Sequence, residues 1–169
     1  MRRVILFLFV FMLALETGAG LFTSVVVYPV WTRSPEIVAT WKPSMPYFMQ
    51  EGDFFMFASP TTMLLSIVTA IAFLRRRDRV RPWVLVSSLT FLAVGIWTLA
   101  YFLPAQDWVQ GDPALKLPRE EVASILENFI TLNWIRQLML VVALITGLHA
   151  LGLTYRGTVT THDDQAERK

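Results

Sequence analysis

The chain contains no cysteine, which excludes disulfides and thiolate metal sites outright. Histidine is scarce, with only His149 and His162 present. Only His149 falls in an apolar run, so a haem held between two histidines inside such runs is excluded. Charge is sparse too: 17% of the 169 residues are charged and 54% are hydrophobic, against about 25% and about 45–50% in an ordinary soluble domain. A formal net charge of +2 argues against nucleic acid as a partner. No Gly-rich phosphate loop, GxSxG or HExxH pattern occurs, so no nucleotide, serine-hydrolase or zinc-protease chemistry is indicated. No metal and no cofactor are expected.

What the chain does have is length of apolar run. VILFLFVFMLALETGAGLFTSVVVYPV (4–30), FFMFASPTTMLLSIVTAIAFL (54–74), WVLVSSLTFLAVGIWTLAYFL (83–103) and LNWIRQLMLVVALITGLHALGL (132–153) stand out. Each reaches about 20 residues or more, enough at about 1.5 Å per residue to cross about 30 Å of hydrocarbon. The mean hydropathy of +0.50 agrees. A secretory-signal reading of the first segment conflicts with the apolar character that resumes at once in LFTSVVVYPVW.

The expected fold is an all-α integral membrane four-helix bundle, multi-pass in the cell membrane, with the lipid bilayer as its first partner. The membrane domain covers 1–153 and a polar cytoplasmic tail covers 154–169. Arg2, Arg3, the cluster RRRDRVR at 75–81, Arg156, Arg168 and Lys169 put ten basic residues on one side, against Arg33, Lys42, Lys116 and Arg119 on the other. Both termini are therefore expected in the cytoplasm. RRRDRVR reads as a topology anchor on a tight turn, or as a lipid-binding cluster.

The outer loops carry the unusual composition. In the first, Pro35, Pro43 and Pro46 stand among Trp31, Trp41, Tyr47 and Phe48, which suits an aromatic belt at the headgroups or a lid over a cavity. In the second, apolar residues after Pro118 recur at helical spacing, and Glu120 and Glu121 suit a helix N-terminus. The fourth span should thus begin near 120 and project outward as one helix over 120–153, while the tail frays. Ser59-Pro60 reads either as a cap with a first-turn proline or as a kink. Ala14, Gly18 and Gly20 on the first helix, and Ala143 with Gly147 on the fourth, are candidate close contacts.

Two charges inside the spans are costly in hydrocarbon and call for a partner or a use. Glu16 lies 13 residues beyond Arg3, about 20 Å by the helical rise, and Arg136 lies about 30 Å beyond Arg156 by the same measure. Glu16 and Arg136 are therefore expected to pair, directly or through water. Asn133 lies one turn above Arg136, and Thr17, Thr23, Ser24, Thr61, Thr62, Thr98 and Tyr101 fall in or near the outer half. A pocket there, or a bundle fastened by the charges, would each explain the pattern. His149 is read as packed against a neighbouring helix.

The stretches GLFTSVVVYPVW and LNWIRQ, with an Arg-rich turn between the second and third spans, resemble a family of small four-helix membrane proteins. That family is related to the fungal anthrone oxygenases. The layout is similar over nearly the whole chain, and the motif likeness is confined to VVYPVW and NWIR; Asn133 stands where many members carry histidine. The resemblance implies a bundle binding a flat, apolar, phenolic or quinone-like molecule, and a cofactor-independent monooxygenase if it is an enzyme. Arg136 would then stabilise an enolate or phenolate oxygen, Asn133 would orient it, and Glu16 would hold Arg136 or move a proton. Tyr28, Trp31, Tyr101 and Trp134 would line the ligand site. The alternative is a non-catalytic scaffold docking a membrane-protein partner or a second copy of itself.

Overall fold

The computed structural model of the chain describes residues 1–33, 51–75, 78–109 and 116–166. Within these it is all-helical. Helix α1 runs Arg2–Phe22, passes through a π-helical segment at Thr23–Val27 and continues as Tyr28–Arg33. Helix α2 is Glu51–Leu74; α3 runs Arg81–Trp97, a π-helical segment Thr98–Phe102, then Leu103–Val109; α4 is Arg119–Ala166. The first-loop segment 34–50, with its lid or belt expectation, lies outside the described residues, as do 110–115, Arg76 and Arg77 of the basic cluster, and Arg168 and Lys169.

Four stretches are each long and apolar enough to cross a membrane: Arg2–Trp31, Asp53–Leu74, Arg81–Gln106 and Glu120–Tyr155. Each helix packs on its two neighbours in the order α1–α2–α3–α4, and α4 closes the ring on α1. The N-terminus, the end of α2 and the start of α3 mark the near end of the bundle, and the starts of α2 and α4 mark the far end. Apolar side chains also face outward along the whole bundle, Phe11, Leu64, Leu89, Ile96, Leu138 and Ile145 among them.

The near half is filled. Leu6, Phe9, Leu13, Phe73, Val84 and Ala143 are buried there in one cluster. Phe9 of α1 meets Phe91 of α3 edge-on across the centre, with ring centroids 6.2 Å apart. Small residues let backbones close in. A Cβ on Gly147 would meet Ser87 Oγ at 2.9 Å and Val10 Cγ2 at 3.1 Å, so α1, α3 and α4 converge at that glycine. Gly20 is likewise an inward contact, but Ala14 and Gly18 face outward, and a Cβ on Gly18 would meet nothing within 4 Å.

Each of the four interfaces carries a polar tie. Ser59 Oγ donates to Glu16 Oε2 (3.0 Å), Ser66 Oγ to the Ser88 carbonyl (3.1 Å), Ser87 Oγ to the Ala143 carbonyl (2.7 Å), and Asn133 Nδ2 to Ser24 Oγ (2.7 Å). Such ties between apolar helices contribute about 0.6–2 kcal/mol each.

Of the two readings of Ser59-Pro60, the cap with a first-turn proline is excluded: Pro60 lies inside α2, where its ring has no N–H to give the carbonyl one turn back. Thr61 and Thr62 Oγ1 donate to the carbonyls of Phe57 and Ala58, both at 2.9 Å, while the carbonyl that the proline deprives of its helical donor is that of Met56. The tail, expected to fray, continues α4 to Ala166, which makes that helix 48 residues long. An established helix propagates without a new nucleation cost, and this carries it past Gly157 and the polar run that follows.

Candidate functional site

A cavity of about 600 Å³ lies in the far half of the bundle, a size in the range of about 300–1,000 Å³ usual for small-molecule sites. Most of its wall is apolar, with Met63, Phe91, Val94, Phe102, Phe129 and Leu140 contributing. Set into that wall are Glu16, Ser59, Thr23, Thr98, Arg136 and Gln137.

The helical repeat explains how Glu16 arrives there. The buried stripe of α1 is Leu6, Phe9, Val10, Leu13, Glu16, Thr17 and Gly20, spaced by three and four residues as one helix face requires. Glu16 occupies a core position and is only 4% exposed. Its Oε2 accepts the Ser59 hydrogen bond, and its Oε1 has no hydrogen-bond partner. On α4 the corresponding stripe is Leu126, Phe129, Asn133, Gln137, Leu140 and Ala143, with Arg136 one position to the side.

Arg136 lies with Cζ 4.5 Å from the centroid of the Phe102 ring, a cation–π contact that gains strength away from water. Its Nε has no hydrogen-bond partner. Among the described residues no ion pair closes between Arg136 and Glu16; their charges act on one another across the cavity. Of the pairing expected directly or through water, the direct form is therefore absent. A serine on the adjacent helix holds the carboxylate instead, and an aromatic face holds the guanidinium.

Both π-helical segments lie at this level, one on α1 and one on α3. Ser24 Oγ donates to the Gly20 carbonyl (2.7 Å) and Thr98 Oγ1 to the Val94 carbonyl (2.8 Å). A π turn inserts a residue and re-aims the side chains beyond it, and such turns recur at functional sites. Past them, Tyr28, Trp31, Phe102 and Phe129 form an aromatic cluster; Tyr28 lies 5.0 Å from Trp31 and 5.5 Å from Phe129, and Phe102 lies 5.4 Å from Phe129 between centroids.

Of the residues expected to act together, Glu16, Arg136 and Tyr28 line the cavity. Asn133 does not: it is fully buried, its Nδ2 donating to Ser24 and tying α4 to α1 while its Oδ1 has no hydrogen-bond partner. Trp31 is packed inside the aromatic cluster, away from the cavity. Tyr101 is half-buried with its ring edge-on to Phe102 at 5.1 Å, outside the lining. Trp134 follows Asn133 by one residue, about 100° further round the helix, and points out with 45% of its surface exposed. His149 packs on Trp83 of α3, ring centroids 4.5 Å apart.

Gln137 went unread in the sequence. It is 1% exposed, and neither Oε1 nor Nε2 has a partner. Gly20 makes room for it, since a Cβ there would lie 2.6 Å from Gln137 Oε1. The available signal was spacing, because Gln137 sits four residues after Asn133 and three before Leu140 on the core stripe. Among the described residues no group of three His, Asp or Glu side chains gathers in a metal-binding arrangement. Comparison with known families, curated proteins and solved structures finds no match to this chain.

Proposed function

We propose that the chain is a multi-pass protein of the cell membrane, both termini cytoplasmic, whose cavity binds an apolar aromatic molecule bearing an acidic oxygen. One observation carries this reading: a guanidinium and a carboxylate face one largely apolar cavity without closing on each other. Charges inside a membrane domain are retained chiefly for use. The outward apolar side chains and the basic residues gathered at the near end support the bilayer setting and the orientation.

A phenolate or enolate oxygen beside Arg136 would gain a charge-assisted hydrogen bond, typically about 1.5–3 kcal/mol. Glu16 Oε1 is open to take the proton that the ligand gives up. The resemblance to relatives of the anthrone oxygenases suggests the reaction to test first. An activated ring methylene, deprotonated to its enolate, would react with dioxygen, one oxygen atom remaining as the ring carbonyl and the other leaving as water. Arg136 would hold the enolate oxygen, where a preorganised cation in a dry site contributes most.

The test uses full-length protein in nanodiscs, titrated with 1-naphthol, with oxygen uptake followed on added anthrone. Arg136→Ala should weaken naphthol binding about ten- to hundredfold, and Glu16→Gln should abolish oxygen uptake while the protein stays folded. A folded Arg136→Ala protein with wild-type naphthol affinity overturns the reading. A stoichiometric partner chain retained in mild detergent, with no small molecule bound, would instead favour a docking role for the long α4.

A further inference from the structure

The cavity wall is not uniform in height or direction. Helices α2 and α3 touch closely at Gly95, where a Cβ would meet Met63 Sδ at 3.1 Å. Beyond that level both are distorted, α2 by Pro60 and α3 by its π-helical segment. The last part of α3, Leu103–Val109, packs on α4. The two helices therefore part above Gly95.

The residues beside this gap face two ways. Met56, Pro60, Leu99 and Leu103 all line the cavity, yet Met56 is 75%, Leu99 57% and Leu103 47% exposed on the outside of the bundle. A side chain that is both cavity wall and outer surface marks a mouth. Among the described residues this mouth is apolar, whereas the lining toward the far end includes Asp53 and Gln106. Among them, an alkyl chain leaving the cavity would meet polar groups going upward and apolar groups going sideways.

The inner end has the opposite character. Glu16 Oε1, Arg136 Nε and both amide atoms of Gln137 are buried and without hydrogen-bond partners, and buried polar atoms of this kind call for a partner. We infer that the ligand is an amphiphile that enters sideways between α2 and α3, its oxygen-bearing ring read by Arg136, Glu16 and Gln137 and its alkyl tail trailing through the gap at Met56, Pro60, Leu99 and Leu103. This inference rests on the binding role proposed above and adds the tail, the route and the donor–acceptor reading by Gln137. The amide offers N–H donors and one acceptor beside the cation, so a ring bearing a carbonyl and two hydroxyls would leave none of the four atoms unpaired.

Two probes, 1-naphthol and 4-decyl-1-naphthol, separate the tail from the ring. Affinities are measured by calorimetry on full-length protein in phosphatidylcholine nanodiscs. Wild type is compared with Leu99→Trp, Met56→Trp and Arg136→Ala. Both tryptophans add bulk at outward-facing positions, so either variant can serve if the other misfolds. The ratio of decyl-naphthol to naphthol affinity should fall about tenfold in each tryptophan variant, because a filled mouth leaves no room for the chain. Partition of the decyl chain into lipid is common to all samples and cancels in the comparison with wild type. An unchanged ratio, with Arg136→Ala weakening both probes, overturns sideways entry and leaves the cavity reading standing. Wild-type protein that binds neither probe, or Arg136→Ala protein that binds both as wild type does, overturns the cavity reading and this inference with it.

Discussion

The near and far halves of this bundle are built from the same four helices but solve different problems. In the near half, Phe9, Phe91, Leu6 and Leu13 fill the centre, and glycine or serine appears where backbones converge. The hydroxyls of Ser87 and Ser66 are spent on main-chain carbonyls of the adjacent helix. In the far half the helices are widened by two π-helical segments and an internal proline, and the space between them stays open. Amide and charged groups without partners gather there, whereas in the near half the buried atoms of this kind are the hydroxyls of Thr69 and Ser88. The contrast teaches that packing and polarity are traded along the helix axis: one end holds the helices together so that the other can keep a cavity.

That comparison predicts different responses to substitution at the two ends. The largest effect is expected from Phe9→Ala, which should lower stability by about 3–5 kcal/mol by opening a void in a filled core, read as a fall in thermal midpoint in detergent. A loss under ~1 kcal/mol would mean that the near half is not the fastener. Next comes Arg136→Ala, whose main cost should appear in ligand affinity, about 1.5–3 kcal/mol, with a smaller change in melting. If melting collapses while affinity survives, the far half is a fastener as well and the contrast fails.

Gly147→Ala should destabilise by about 1–3 kcal/mol, since its methyl would press on Ser87 and Val10 in a packed region. Gly20→Ala makes the sharper companion. The atoms nearest its methyl belong to the far end of the flexible Gln137 side chain, so melting should change by less than ~1 kcal/mol while naphthol affinity shifts severalfold. Equal losses of stability at the two glycines would erase the distinction between tight and open halves. Asn133→Ala should give the smallest change, about 0.6 kcal/mol of stability, as expected for one helix-to-helix tie; chemical denaturation in mixed micelles would resolve it.

Glu16 and Arg136 were legible as odd residues because charge in an apolar run is rare, and their shared cavity follows from helix spacing plus antiparallel order. That no direct ion pair closes between them was not legible. Whether a carboxylate reaches a guanidinium or a nearer serine depends on a few ångströms of helix offset, which composition does not encode. The aromatics show the same limit: Tyr28, Trp31, Tyr101 and Trp134 are alike in type and level, yet a rotation of about 100° per residue sends Trp134 outward. The π-helical segments add a further turn-by-turn shift that no apolar pattern announces. Gln137 was overlooked because a lone uncharged amide in an apolar helix draws less attention than an arginine beside it.

By itself the sequence determined the number of helices and that each is long and apolar enough to cross a membrane, because about 20 apolar residues in a row suffice for that length. Tertiary structure alone decided which small residues meet, where the helices part and which polar atoms are left without partners. The reason is physical: apolar length is a property of one segment read along its axis, whereas a cavity is set by the relative rotation and offset of four segments, and each of those is fixed only by its contacts with the others.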